Sequence, residues 1–420
     1  MVSLDSRDPQ TIVKHEILGE YLVKWGGIII NGLRRPYQSY LQRDYGFNFT
    51  VRFVYLDCFA SVGRYAKGKS AQEWVPGSPL IGIHALDAIK EFAVDEIGLS
   101  PEVYTILFEE KPANYDALLE TLQVADLEDR VRQTTDFFSL NSGEIAAICC
   151  DYRQHIETAL DFTGREFTWA FYFLDPYGPK GMELDVVGRI VSQDKNDVMI
   201  NFPYQDLHRK TGSVLRGTPE HEPHLRYWDE VYGDDSWREI VRAFSHDPDM
   251  METKLVQEYA NRLQDQDQQL AIKTIPLRFK DKERTMFYLF LTTHDPTGGL
   301  AINQLLSDAK QEEHNYRVQW KTDQLVERAL GYKQQRLPFE SETEPELVRP
   351  SRPSKEEIAE EIYRRCQGQN VLYREVLRRI VNGPYFPKEV ESAMRLLKRQ
   401  KRANFERSKP QNDDTIEFKA

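Results

Sequence analysis

Cysteine is scarce: the 420 residues carry four, Cys58, Cys149, Cys150 and Cys366. None sits in a C-x-x-C pair or beside histidines at metal-ligand spacing, so neither a disulfide framework nor a zinc site is expected, and no metal is assigned. Long apolar runs are missing as well. The opening MVSLDSRDPQTIVKHEILGEYL has acidic residues where a signal peptide would need an apolar stretch, and nothing later approaches a membrane span. A cytoplasmic protein is expected. Positive charge is also in deficit, with a formal net charge of −12. A polyanionic partner would have to be met by a local basic patch and not by the mean field of the molecule.

Hydrophobic residues make up 40% of the chain, aromatics 11% and charged residues 29%, which is a globular profile and does not suggest global disorder. At this length one large domain with one or two appendages is the expected organisation. No internal repeat is visible.

Residues 11–45 carry apolar positions at helical spacing (Ile12, Leu18, Tyr21, Leu22, Trp25, Ile29), so one or two helices precede the first strand. Buried strands are read at VRFVYLDCFA (51–60), VYTILFEE (103–110), VRQTTDFFSL (131–140), FTWAFYFLDPYG (167–178) and NDVMINFP (196–203), with helical stretches such as KPANYDALLETL and ELDVVGRIVSQ between them. An irregular acidic insertion over about 205–270 has helical patches near Trp228 and Trp237. AIKTIPLRFK and RTMFYLFLTTH then make a hairpin around Asp281 to Glu283. The rhythm predicts an α/β fold: a doubly wound, mostly parallel, seven-stranded Rossmann-like sheet closed by an antiparallel C-terminal hairpin. That hairpin is a feature of class I methyltransferases and is usually absent from dinucleotide dehydrogenases. The large domain is placed at 1–337.

Residues 338–354 (PFESETEPELVRPSRPS) have the composition of a linker. From 355 to 420 three amphipathic helices and a hairpin-like tail predict a winged helix-turn-helix, its first helix opened by a Ser354 cap with Glu357 in the capping-box position. This module holds 15 Lys or Arg against 11 Asp or Glu, a net of 15 − 11 = +4, which leaves −16 for the rest. Arg395, Lys398, Arg399, Lys401 and Arg402, with Arg407 and Lys409, fall on the expected recognition helix and wing, where they suit phosphate contact. Protein docking, or simple solvation of a basic helix end, is the competing reading.

Four sites in the large domain could carry chemistry. The loop Asp57-Cys58-Phe59-Ala60-Ser61-Val62-Gly63 follows the first strand, where backbone N–H groups can meet a cofactor, although it departs from G-x-G-x-x-G at the first glycine. Glu109 and Glu110 close the second strand, where a carboxylate can accept ribose hydroxyls. Their distance of 46 residues from Gly63 requires an insertion. Asp136, after the third strand, could contact an adenine amino group or form a turn. Asp175-Pro176-Tyr177-Gly178 ends the fourth strand. It is either a tight Asp-Pro turn or an acceptor and a rigid carbonyl set beside an aromatic that can stack on a flat substrate such as a base.

Taken with KHEILGEYLVKW, YLDCFASVGRY followed by GSPLIGIHAL, INFPYQDLHR and LTTHDPTGGLAI, the FLDPYG segment resembles the three-Cys-motif partner protein family over roughly residues 14–305. Members of that family show D-x-F-A-G-x-G-x-Y, G-S-P and D-P-F-G at the same places. The resemblance implies a class I S-adenosylmethionine-dependent methyltransferase-like fold and a protein partner bearing a three-cysteine motif of the radical S-adenosylmethionine type. It implies that Asp57, Phe59, Ala60, Gly63, Glu109, Glu110 and Asp136 line the cofactor while Asp175, Pro176 and Tyr177 face the acceptor. Ser61 stands where glycine is usual, and Tyr177 where phenylalanine is. A serine restricts the backbone at that point.

Two functions are therefore expected to compete. One is an S-adenosylmethionine-dependent methyltransferase acting on DNA or RNA held by the winged helix, and the other is a non-catalytic adaptor presenting nucleic acid to a three-cysteine enzyme. A nuclease or nucleotidyl transferase would need a dense acidic metal cluster that the sequence lacks.

Overall fold

The computed structural model describes residues 8–42, 49–67, 70–217, 219–279, 284–310 and 352–419. The chain divides into two compact units, one taking in Lys14–Arg278 and Arg284–His294, the other Asp8–Val13 and Asp295–Ala420.

The first unit is built on an eight-stranded sheet. Its strands are β1 (Arg52–Asp57), β4 (Glu102–Phe108), β5 (Val131–Arg132), β6 (Ile145–Ile148), β7 (Thr168–Leu174), β8 (Asn196–Phe202), β9 (Ala271–Arg278) and β10 (Thr285–Thr293). Their order is β5-β6-β4-β1-β7-β8-β10-β9. The first six run parallel, whereas β10 is antiparallel to both neighbours, so β9 points the same way as β8. A separate hairpin, β2 (Arg64–Lys67) with β3 (Ser70–Pro76), follows β1.

Side chains alternate across this sheet, as strand geometry requires. Val54 and Leu56 join Tyr104, Ile106, Tyr172 and Ile200 in one continuous core. Phe53, Tyr55 and Phe171 face the other way, where Trp25 and Tyr21 of α1 (Pro9–Gln42) meet Phe53 and Phe171 at ring separations of 5.5 to 5.9 Å. Helix α2 (Ser78–Ile97) covers β1 and β4. Because both faces are covered, the central strands are apolar at nearly every position.

The strands depart from the sequence expectation in three places. Seven strands were expected, and among the described residues the sheet has eight, the two-residue β5 extending the edge beyond β6. The stretch 131–140 is mostly not a strand: after Arg132 it turns, and Phe137–Ser139 is a short 3-10 turn capped by Asp136. The strand that pairs with β4 on the side away from β1 is Ile145–Ile148.

The acidic insertion is also ordered. It forms α6 (Tyr204–Arg216), α7 (Glu222–Tyr232), α8 (Ser236–Ala243) and α9 (Pro248–Gln266). Trp228, Tyr232, Trp237 and Tyr259 enter the same core as Phe202. Its acids do local work: Asp206 and Asp229 accept the indole N–H groups of Trp228 and Trp237 at 3.3 and 2.8 Å, so neither buried ring leaves a donor unpaired.

In the second unit, α11 (Lys355–Cys366), β11 (Asn370–Leu372), α12 (Tyr373–Ile380), α13 (Pro387–Arg399), β12 (Ala403–Asn404) and β13 (Thr415–Phe418) follow one another, with sheet order β11-β13-β12. The capping box read from Ser354 and Glu357 is formed in both directions. Ile358, Ile362, Val376, Met394, Leu397 and Ile416 make the core, and Leu300 from helix α10 (residues 296–310) enters it. Asn303 of that helix donates to Gly383 O and Tyr385 O, both at 2.9 Å. The module therefore begins earlier in the chain than residue 355. The hairpin turn at 281–283 and residues 338–351 of the linker lie outside the described residues.

Candidate functional site

Parallel register sets the site. Asp57 at the end of β1 stands opposite Leu107 of β4 and Phe173 of β7. Glu109 and Asp175 lie two residues beyond those partners, so the carboxyl ends of three strands open side by side. This is where ligands bind in open α/β sheets. A cleft of about 170 Å³ lies there, lined among others by Phe59, Ser61, Glu109, Glu110, Lys111, Asn114, Cys150, Asp151, Tyr152, Asp175, Tyr177, Gly178 and Lys180. Its lining carries four carboxylates against two lysine ammonium groups. A wider depression at Asp116, Glu120 and Glu128 contains none of the residues singled out from sequence.

Asp57 lies beneath the cleft and does not line it. It is fully buried, accepting from the Phe59 amide at 3.2 Å and the Tyr55 hydroxyl at 3.3 Å. Burial raises its carboxyl to about 7 against the opposing hydrogen bonds of Ser78, Phe59 and Tyr55, with the charge of Asp175 adding to the rise. Its role is to fold the loop. Ala60 is buried and donates its amide to Phe108 O at 2.8 Å.

Ser61 adopts φ +52°, the left-handed region that favours glycine, and its amide donates to Glu109 Oε2 at 2.9 Å. Gly63, at φ +75°, packs on α3 (Pro112–Val124): a Cβ there would stand 2.8 Å from Leu118 Cδ1. Gly63 is thus a packing requirement and does not line the cleft.

Glu109 is buried, and its other oxygen accepts from the Lys111 amide at 2.9 Å. Glu110 reaches Lys180 at 2.6 Å. Asp136 stays away from the cleft, capping the turn at Phe138 N at 3.2 Å. The acid that follows β6, the strand paired with β4, is Asp151, which lines the cleft and pairs with Arg153 at 2.6 Å. Bonds from Arg153 outweigh burial and hold the Asp151 carboxyl below its ordinary range. Neighbouring Cys150 is a poor nucleophile, since burial pushes its thiol to about 11. Phe59 meets Tyr152 edge-on at 5.6 Å.

Asp175 accepts from Asn201 Nδ2 at 2.6 Å through one oxygen and pairs with Lys14 of α1 through the other. Pro176 is buried beside it and outside the lining, and Tyr177 projects fully into solvent, its ring 5.8 Å from the Lys111 ammonium. Lys14, Lys111, Asn114, Asp151, Tyr152 and Lys180 were missed from sequence. The Asp-Tyr-Arg run after Ile145–Ile148 was the one available signal among them. Among the described residues, no three His, Cys, Asp or Glu groups are placed to hold a metal.

The basic residues of the second unit divide. Lys398 donates to the carbonyls of Phe405, Glu406 and Arg407, the last at 2.9 Å, and sits 4.6 Å over the Phe405 ring. Arg402 pairs with Glu360 at 2.7 Å and stacks on Tyr363. Lys409 meets Glu391 at 2.6 Å, and Arg407 lies 3.5 Å from Asp414. Arg395 has a loose contact with Glu391 at 3.8 Å. Arg399 and Lys401 are exposed and without an ion-pair partner among the described residues.

No family model and no curated protein matches the chain. Among solved structures, protein LPL1258 of Legionella pneumophila strain Philadelphia 1, described under the family name DUF519, is similar at a TM-score of 0.34 and 10% identity, over 68% of this chain and 85% of that one. Among the described residues no helix is long and apolar enough to cross a membrane. The first unit is a mixed α/β fold with a large, mostly parallel central sheet.

Proposed function

We propose that the chain is an S-adenosylmethionine-dependent methyltransferase-like protein that acts on nucleic acid. The observation that carries this is the convergence of Ser61, Glu109, Asp151 and Asp175, from four strand ends, on one cleft. The strand order supports it, because a reversed β10 inserted between β8 and β9 is the arrangement of class I methyltransferases. The surplus of carboxylates suits a sulfonium cation, and Phe59 and Tyr152 offer aromatic edges to a base. Glu110 is the carboxylate open to ribose or adenine groups, with Asp151 offering only the remaining lone pair of Oδ2 beyond its pairing with Arg153, since both oxygens of Glu109 already accept backbone amides.

Bound there, S-adenosylmethionine would supply an activated methyl group. Methyl transfer from a sulfonium is an in-line displacement, so alignment of the acceptor carries much of the rate. Asp175 has a free lone pair on each oxygen beyond those used by Asn201 and Lys14, and can accept a hydrogen bond from an acceptor amine. Tyr177, exposed at the mouth, offers a face on which a base can stack.

In the second unit the helix–strand–helix–helix–strand–strand order supports a winged helix, with α13 as the reading helix, Arg399 and Lys401 open to phosphates and Arg395 held only loosely by Glu391. Calorimetric titration with S-adenosylmethionine tests the reading: saturable heat supports it, and none at millimolar ligand contradicts it.

A second reading, the non-catalytic adaptor for a three-cysteine protein, is favoured by one observation. The cleft, at about 170 Å³, falls below the roughly 300 Å³ at which ligand pockets begin. Co-purification with that partner surviving Asp175→Ala, together with absent cofactor binding, would select it.

A further inference from the structure

The loop from β7 to α5 (Leu184–Val191) crosses towards the ends of β4 and β6 on a fixed base. Met182 is buried and donates its amide to Pro179 O at 3.1 Å, the Tyr152 hydroxyl donates to Gly181 O at 2.7 Å, and the Gly181 amide donates to Glu183 Oε1 at 3.1 Å. Gly181 has φ +82°, and a Cβ there would stand 2.7 Å from the Phe59 ring, so glycine alone lets the loop lie this close. From that base Lys180 sends its ammonium to 2.6 Å from Glu110 Oε2 and 3.6 Å from Asp151 Oδ2.

A cation from the chain itself thus sits between two carboxylates that come from different strand ends and line the same cleft. We propose that Lys180 is a latch: its ammonium takes the place between Glu110 and Asp151 that a ligand's hydroxyl or cationic groups would occupy, and a ligand enters by displacing it. The inference rests on reading the cleft as a nucleoside-cofactor site. It accounts for the small volume, because the loop is drawn across the opening. It also accounts for access, since the side chains of Lys180 and Glu110 are 53% and 43% exposed, and exposed pairs of this kind are weak enough to exchange readily. The Glu110 contact raises the Lys180 ammonium above its ordinary range, so the latch stays charged at neutral pH.

Two measurements on the full chain test it. Hydrogen–deuterium exchange reads the latch without ligand: Lys180→Gln is expected to raise exchange severalfold in residues 177–182 while the sheet strands stay protected, and unchanged exchange there overturns the inference. Titration with S-adenosylhomocysteine reads the displacement: Lys180→Gln is expected to bind roughly two- to fivefold more tightly than the wild type, and measurable binding by the wild type that equals or exceeds that of the variant overturns it. Raised exchange with no binding by either protein would uphold the latch and remove the cofactor reading, so the two failures are distinguishable.

Discussion

Ser61 donates its backbone amide to Oε2 of Glu109 at 2.9 Å, and it does so from a left-handed backbone with φ +52°. That bond ties the loop after β1 to the end of β4. The conformation costs a non-glycine residue about 1–2 kcal/mol, while glycine gives back about 0.5–1 kcal/mol through its freer unfolded chain. Ser61→Gly is therefore expected to stabilise by up to about 1 kcal/mol, and Ser61→Val to destabilise by more than about 1 kcal/mol because a β-branched residue tolerates this region poorly. Urea unfolding followed by tryptophan fluorescence reads the order, which reverses if the loop is not held this way.

Gly63 gives a sharper effect of opposite sign. Its φ is +75°, and an added Cβ meets Leu118 Cδ1 at 2.8 Å and Thr121 Cγ2 at 3.2 Å. Gly63→Ala adds strain to overpacking and should cost roughly 1–3 kcal/mol. A midpoint of thermal unfolding equal to that of the wild type would show that α3 can yield.

Asp57 makes stability depend on pH in the direction opposite to a paired carboxylate. Its folded value of about 7 lies above that of the unfolded chain, so the folded state binds the extra proton between about pH 4 and 7. Stability from this group is present below the unfolded value and is lost as pH rises through that window, by an amount on the order of a few kcal/mol. Asp57→Asn keeps an acceptor for the Phe59 amide and should remove that slope, leaving the variant at least as stable as the wild type at pH 8. Parallel profiles of stability against pH for the two proteins would refute the assignment.

Much of this arrangement can be read from local pattern. The runs at 51–60, 103–110, 167–178 and 196–203 are continuous and apolar because their strands are covered on both faces, and each was placed. Ile145–Ile148 escaped because it is four residues long with two alanines, short of a strand-like run on its own and made a strand by pairing with β4. That omission moved the third acidic position from Asp151 to Asp136. Lys14 and Lys180 could not be found by any local rule. Each meets its carboxylate across a long stretch of sequence, 161 residues for Lys14 to Asp175 and 70 for Lys180 to Glu110. The insertion carried a usable signal in Leu225, Trp228, Val231 and Tyr232, spaced for one face of a helix, but its charge obscured it.

The basic residues of α13 and the following segment should separate into two classes. Removing Arg399 or Lys401 should weaken binding of an oligonucleotide and lower the slope of log K against log salt by about 0.7–0.9 each. Lys398→Ala should instead lower the stability of the module, because its ammonium gathers three carbonyls of the chain after β12. Fluorescence anisotropy across a salt series reads the first class and thermal unfolding the second. Equal salt slopes for all variants would contradict the proposed phosphate contact at these residues.

The proposed function requires a nucleoside cofactor to enter at the carboxyl ends of β1, β4, β6 and β7. A crystal structure of the full chain soaked with S-adenosylmethionine tests this directly. Density bounded by Phe59, Glu110, Asp151 and Asp175, with Lys180 swung away from Glu110, is the predicted result. A cleft still closed by Lys180 at saturating ligand, or ligand bound only at another surface, would contradict it.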